Sequence, residues 1–417
     1  MNSEALTVDE AVARVLAAAP RLASEEVALV DADGRVLAED IVAPRCLPPW
    51  DASAMDGFAV RAADVPGRLR VVDTVVAGRP GRRAVGAGEA ARILTGAPVP
   101  EGADAVVMVE DTRVSRSEDG EWVATDATID VGRHIRSRGS EVALGDAVLS
   151  AGARVGPAAV LALASLGVDR VRVARRPRVV ILATGDELVE PGGALGPAQI
   201  HASNGLALAA LVREVGGEPR YAGVVPDDPA RIRAAVQSAL TTADVLITTG
   251  GVSVGETDHV RGVLEDLGIA LDFWRVAMKP GKPFAFATTP DGVPVFGLPG
   301  NPVSCVVGFQ VFVAPLLRRA LGCPAVHAPM LDAVLVGGRA RAQGRLELVR
   351  VALARGADGV VLATAPAHQG SAAVLSLAHA HGLAIVPASA PRLEGPVRVL
   401  VFDPSWDAAP DRRYQPA

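Results

Sequence analysis

Apolar and polar positions change rhythm several times along the chain. Over 7–19, Val12, Val15 and Leu16 share one face behind Thr7-x-x-Glu10, so the spacing predicts an amphipathic helix opened by a capping box. Over 27–42 apolar and polar residues alternate around Asp33-Gly34, the pattern of a hairpin. Residues 46–139 are rich in Gly, Pro, Val and Thr without sustained helical period, and read as a β-rich module carrying loops. Residues 140–175 predict another hairpin-like piece, a short helix begun by Gly156-Pro157 and stopped at Gly167, then a strand to Val173.

From 178 to about 321 the rhythm differs. The apolar runs RVVILATG, PRYAGVV, DVLITTGG, LDFWRVAM and VPVFGLPG recur, and helical periods at 203–215, 229–240, 258–267 and 302–320 separate most of them. That alternation predicts a doubly wound α/β domain, a parallel sheet with both faces covered. From 326 to 403 short strands with Gly turns return, suggesting a small barrel or sandwich, and the last residues are polar and proline-containing, the composition of a flexible tail.

Composition narrows the class. The chain has 417 residues, half of them apolar, enough for two to four domains. The formal charge of −6 argues against general nucleic-acid binding. Cys46, Cys305 and Cys323 are scattered, with no Cys-x-x-Cys pair, and read as reduced thiols. No cationic leader opens the sequence, and the apolar stretch 303–317 is broken by Gln310 and Pro315, so the expectation is a cytoplasmic protein with a core helix there rather than a membrane span.

Candidate chemistry gathers where strands end. Thr184-Gly185-Asp186-Glu187, Asp227-Asp228, Gly250-Gly251 with Ser253, Gly255 and Asp258, and Pro299-Gly300-Asn301 each follow a predicted strand. In open α/β sheets ligands bind outside the carboxyl ends of strands. Glycines let a backbone approach a phosphate, and amides before a helix attract anions. Carboxylates at the same edge would repel that anion unless a hard cation lay between, which implies an oxygen-ligated divalent ion, Mg²⁺ before others. Asp186, Asp228 and Ser253 taken singly could equally cap helices or form turns. Lys279 and Lys282, held between prolines in MKPGKPF, could present ammonium groups to an oxyanion. The chain has neither Gly-x-x-x-x-Gly-Lys-Ser/Thr nor Gly-x-Gly-x-x-Gly, which counts against a P-loop and a Rossmann dehydrogenase. His379 and His381 form His-x-His with no third ligand close in sequence, and read as structural.

In order, SAMDGFAVR, LTGAPVPEGADAVVMVE, TGDEL, GGVSVGETD, KPGKPFAFA, GLPGNPVS and HQGS resemble the MoeA family of molybdopterin molybdenumtransferases, the module that gephyrin carries as its E domain. The likeness covers about 5–403. It implies an α/β molybdopterin-binding domain from 5–25 and 176–325, a small β-rich domain from 26–45 and 140–175, an inserted lobe at 46–139, a C-terminal β-barrel at 326–404 and a flexible tail at 405–417. The implied reaction takes adenylylated molybdopterin and molybdate, cleaves the adenylyl group with Mg²⁺ and releases molybdenum cofactor and AMP. The implied assembly is a homodimer, with a partner adenylyltransferase and recipient molybdoenzymes. By the same resemblance Glu187, Asp227 and Asp258 hold the metal, Asp56 and Thr95 join them from the lobe, and Gly250, Gly251, Ser253, Gly255, Pro299, Gly300 and Asn301 bind the pterin nucleotide. Lys279, Lys282, Ser304, Arg350, Ser371 and Arg275 match the anion pocket, Arg275 standing where many relatives carry lysine. Two alternatives are a molybdopterin adenylyltransferase, which would need only the α/β unit, and a non-catalytic gephyrin-like scaffold.

Overall fold

The computed structural model describes residues 5–251, 259–340 and 344–407, and the chain divides into two compact units, 26–173 and the remainder. In the larger unit the strands run, side by side, Glu218–Val225, Arg178–Thr184, Val245–Thr249, Pro294–Leu298, Pro283–Thr288 and Leu271–Arg275. The first four are parallel. Side chains alternate across the sheet. Val179, Ile181, Val245 and Ile247 enter one core with the N-terminal helix Val8–Ala17, Asn204–Glu214 and the 302–320 helix, whereas Val180, Leu182 and Leu246 enter another with Pro229–Leu240 and His259–Asp266. Both faces are therefore buried, and this is why these strands read as unbroken apolar runs.

The helix Val8–Ala17 begins with the expected reciprocal cap, Thr7 Oγ1 accepting from Glu10 N at 3.3 Å and Glu10 Oε2 from Thr7 N at 2.9 Å. The strand Pro283–Thr288 was not foreseen. It runs antiparallel to Pro294–Leu298, so PFAFATTPDGVPVFGL is a hairpin inside an otherwise parallel order. Five of the eight phenylalanines, Phe273, Phe284, Phe286, Phe296 and Phe312, pack ring against ring beneath it. The segment Pro302–Ala320 is apolar and long enough to cross a membrane, but 78% of it is buried within the protein. Its middle, Phe309–Val313, widens to a π-turn just before Pro315, whose missing N–H and bulky ring an undistorted helix would not accommodate.

Strands Met330–Ala340, Leu346–Arg355, Val361–Thr364, Gly382–Val386 and Arg392–Val401 close a five-stranded barrel, the circle being completed by the pairing of Leu346–Arg355 with Gly382–Val386. The chain does not leave it at once: Pro404–Asp407 forms a 3₁₀ turn with Trp406 packed against the barrel core.

The smaller unit carries a six-stranded sheet with two apolar faces, Phe58, Val60 and Val107 on one and Ala59, Ala91 and Val106 on the other. A second core surrounds Leu37, Leu163 and Val173. The hairpin expected over 27–42 does not form. A 3₁₀ turn, Leu29–Asp31, interrupts it, Val36 and Leu37 bridge to Arg154 and Val173, and Ile41–Val42 pairs with Ala147–Leu149. Only Val27-Ala28, Val36-Leu37 and Ile41-Val42 pair as extended chain, and a period of two cannot say which strand is the neighbour.

Candidate functional site

Register puts the expected strand ends at one edge. Thr184 lies opposite Val225, Ala183 opposite Thr249, and Thr249 opposite Leu298. Beyond that edge opens a cavity of about 720 Å³, lined by Thr184, Gly185, Glu187, Asp227, Thr249, Gly250, Gly251, Pro299, Gly300 and Asn301 among others. Seven of the sequence-predicted residues thus share one crevice: Glu187, Asp227, Gly250, Gly251, Pro299, Gly300 and Asn301. Ser253, Gly255 and Asp258 lie outside the described residues.

The paired glycines are there because two strands' worth of backbone meets at the bend. Gly250 and Gly251 have φ of +93° and +64°. A Cβ on Gly250 would overlap the Thr184 carbonyl oxygen, and one on Gly251 would stand 2.5 Å from Val260 Cγ2. Only glycine meets both demands, the positive φ and the missing side chain. Asp228 takes the structural alternative: its Oδ1 accepts from Arg231 N at 2.8 Å and caps the helix that Pro229 begins. Asp186 Oδ1 accepts from Asp227 N at 3.1 Å, which links two of the strand-end loops and leaves the Asp227 side chain on the cavity wall.

Glu187 and Asp227 offer hard oxygen donors of the kind Mg²⁺ prefers. Among the described residues no group of three or more His, Cys, Asp or Glu is placed to hold a metal ion. Two carboxylates alone fall short of the roughly six oxygens such a cation takes.

The expected anion residues do not line this cavity. Two of them, Ser304 and Ser371, meet at the start of the 302–320 helix. Ser371 O accepts from Val303 N at 3.1 Å, and Ala372 and Val374, which follow it, line the cavity wall. Ser304 is buried one residue further along, with its carbonyl oxygen beside Gly281. Lys279 Nζ lies 3.1 Å from the buried Glu347 Oε1, so this lysine already has a carboxylate partner. Lys282 O accepts from Val276 N at 3.2 Å, fixing the 276–282 turn. Arg275 lies over its neighbour Trp274, 3.8 Å from guanidinium carbon to ring centre, a stacking that a planar guanidinium makes better than an ammonium.

Arg350 is the unusual member. It is fully buried, and its Nε and Nη1 have no partner. Nη2 donates to His368 O at 3.2 Å, while Gln369 pairs with the Arg350 backbone in both directions, at 3.2 and 2.9 Å. HQGS is thus the loop that seats a guanidinium. Burial pulls the Arg350 pKa below its ordinary value.

In the smaller unit Asp56 Oδ1 accepts from Thr95 N at 2.6 Å and from Thr95 Oγ1 at 2.7 Å. The backbone bond and then the hydroxyl bond hold the Asp56 pKa below the usual carboxylate range. Gly57, next to it, lets the strand Gly57–Val60 lie against Val107, whose carbonyl a Cβ would overlap. His381 is structural, as expected: its Nδ1 accepts from Leu353 N at 2.9 Å within the barrel.

Sequence reasoning missed Asn204 and His201, both on the cavity wall with the expected Thr184. Thr184 Oγ1 is buried without a partner. The available signal for Asn204 was position: it opens a helix.

Three family models match in chain order: the MoeA N-terminal region (domain I and II) over 6–167, a probable molybdopterin binding domain over 180–319, and the MoeA C-terminal region (domain IV) over 332–397. The molybdopterin molybdenumtransferase of Bacillus subtilis is 39% identical over 389 residues, spanning 92% of this chain and 90% of its own. The chain belongs to the MoeA family. A further MoeA-family relative, the molybdopterin molybdenumtransferase of Haemophilus influenzae, is 39% identical over 83% of this chain and 85% of its own. The crystal structure of a molybdopterin biosynthesis MoeA protein from Pyrococcus horikoshii superposes with a TM-score of 0.80 at 30% identity, covering 96% of this chain and all of that one.

Proposed function

We propose that this chain is a molybdopterin molybdenumtransferase that takes molybdate and adenylylated molybdopterin and releases AMP, in the cytoplasm and as a homodimer. The observation that carries this reading is the cavity itself, where two carboxylates, a glycine bend and the start of a helix meet at the carboxyl edge of the sheet. A phosphate-bridged ligand suits the bend and the helix start. Glu187 and Asp227, joined by Asp258, would hold Mg²⁺, which when bound polarises the phosphate bridge. The chain's own part is placement: Gly250 and Gly251 let the ligand's phosphates approach the backbone, and Pro299, Gly300 and Asn301 shape the opposite wall. Arg350, with Ser304, Ser371 and the lysines Lys279 and Lys282, would receive molybdate next door, its buried and unpaired N–H groups being suited to a small tetrahedral dianion. Asp56 and Thr95 would take part in turnover as a hydrogen-bonded pair.

The test is AMP release from adenylylated molybdopterin on adding molybdate and Mg²⁺, with Asp258→Ala as the control variant. The wild type turns over and the variant stays folded but inactive. Near-normal turnover by Asp258→Ala would remove Asp258 from the site. Activity confined to adenylylation of molybdopterin by ATP would point to an adenylyltransferase instead, and silence in both assays to a scaffold.

A further inference from the structure

Asn204 holds the two sides of the cavity together. Its Nδ2 donates to Thr249 Oγ1 at 2.9 Å and to Gly300 O at 2.8 Å. A backbone carbonyl can only accept, so the second bond fixes which end of the amide is nitrogen. Thr249 Oγ1 has neighbouring acceptors for its own hydrogen, Pro299 O at 3.4 Å and Cys305 Sγ at 3.8 Å, and is free to accept from the amide. Both N–H groups of Asn204 are therefore committed to protein.

That leaves Oδ1. No described residue donates to it, it is not among the enclosed polar atoms that lack partners, and Asn204 lines the cavity. An amide whose donors are tied down and whose carbonyl is open can offer a ligand only an acceptor. The planar side chain cannot turn to present N–H without breaking both bonds. Glu187 and Asp227 suit a cation, whereas Asn204 Oδ1 is a neutral acceptor held in one orientation on the same wall.

We propose that Asn204 is a specificity-determining residue, its Oδ1 accepting from the exocyclic amino N–H of a nitrogen heterocycle, the pterin or adenine ring of the ligand. The assignment rests on the proposed use of this cavity. A heterocycle that lacks the N–H would leave the carbonyl desolvated and unpaired, a cost large enough for about tenfold discrimination.

Calorimetric titration of the full chain with two matched pairs of probes tests it. AMP is compared with purine riboside 5′-monophosphate, which lacks the 6-amino group, and neopterin with its N2,N2-dimethyl derivative. In one pair the wild type binds the amino-bearing probe about tenfold more tightly. Asn204→Ala reduces that preference below about twofold by weakening the amino-bearing probe alone. Asn204→Asp keeps an acceptor at the same reach while losing both donors, and it retains the preference; it also decides the matter if the alanine variant does not fold. The pair that discriminates identifies the ring. Binding without preference in either pair, or equal weakening of both members by Asn204→Ala, overturns the assignment and leaves Asn204 a strut. If neither AMP nor neopterin binds, the use of the cavity falls as well.

Discussion

The carbonyl oxygen of Thr184 occupies the space that a side chain on Gly250 would need. Two strands that are neighbours in the sheet, Arg178–Thr184 and Val245–Thr249, end so closely that the chain leaving the second must pass over the end of the first. The bend also gives a hydrogen bond to a third, Gly250 N donating to Leu298 O at 3.2 Å. The floor of the cavity is thus set by backbone alone.

Gly250→Ala forces that backbone apart. It combines a positive φ, costing about 1 kcal/mol for alanine, with an overlap that only main-chain movement relieves. The expected result is a fall in melting temperature and a loss of AMP release of at least about a hundredfold, since small displacements of positioning groups cost that much. Unchanged activity would show that the bend does not position the reacting groups. Gly262→Ala is the comparison, because nothing stands within 4 Å of the added Cβ on that helix.

Much of this was legible beforehand, for reasons that can be stated. The α/β strands were visible because burial on both faces writes continuous apolar runs, and the helix starts because Asp228-Pro229 and Asn301-Pro302 carry cap and proline together. The Pro283–Thr288 strand was missed because its run opens inside the proline loop from which the lysines were taken, and strand direction has no period of its own. The neighbour relations of 27–42 were missed because long-range pairing leaves no local mark. In the site, glycines and carboxylates were conspicuous by type. Asn204 was not, because its importance lies in partners 45 or more residues away.

Asp56 is ionised throughout the working pH range, because two donors from Thr95 hold its pKa down. It is suited to act as an anion and not as a general acid. Asp56→Asn keeps an acceptor oxygen for Thr95 and removes the charge. Turnover should fall by about 10²-fold or more with the melting temperature nearly unchanged. The rate of the wild type should show no limb from this group near neutrality. An active Asp56→Asn would reduce the pair to a structural turn.

Arg350 is a buried guanidinium with two unpaired nitrogens. Replacing an unpaired buried charge by an apolar side chain of similar length is often neutral or stabilising. Arg350→Met should therefore leave unfolding free energy within about 2 kcal/mol of wild type. Molybdate should raise the melting temperature of the wild type and not of the variant, because only a folded state with the site intact gains from the ligand. A loss of about 4 kcal/mol without ligand would mean instead that the guanidinium's partner is the protein itself.

Asp244 lies at the opposite edge of the sheet from the cavity, just before Val245–Thr249. Its carboxylate takes two bonds from Arg175, at 2.8 and 2.9 Å, and a backbone bond from Arg178 N at 2.7 Å. Burial alone would raise its pKa; the Arg175 and Arg178 bonds outweigh that and bring it from 3.8 to about 2. A carboxylate whose folded pKa is depressed contributes stability that is complete above its unfolded pKa and is lost as pH falls through the folded one. Asp244→Asn should therefore cost on the order of 2 kcal/mol at pH 7, where the wild-type group is charged in both states. The gap should narrow as pH falls below about 4 and nearly close toward pH 2. Denaturant melts of both proteins at pH 7, 4 and 3 measure it, and a gap that stays constant or widens in acid would show that the carboxylate charge is not what joins Arg175 and Arg178 to the sheet.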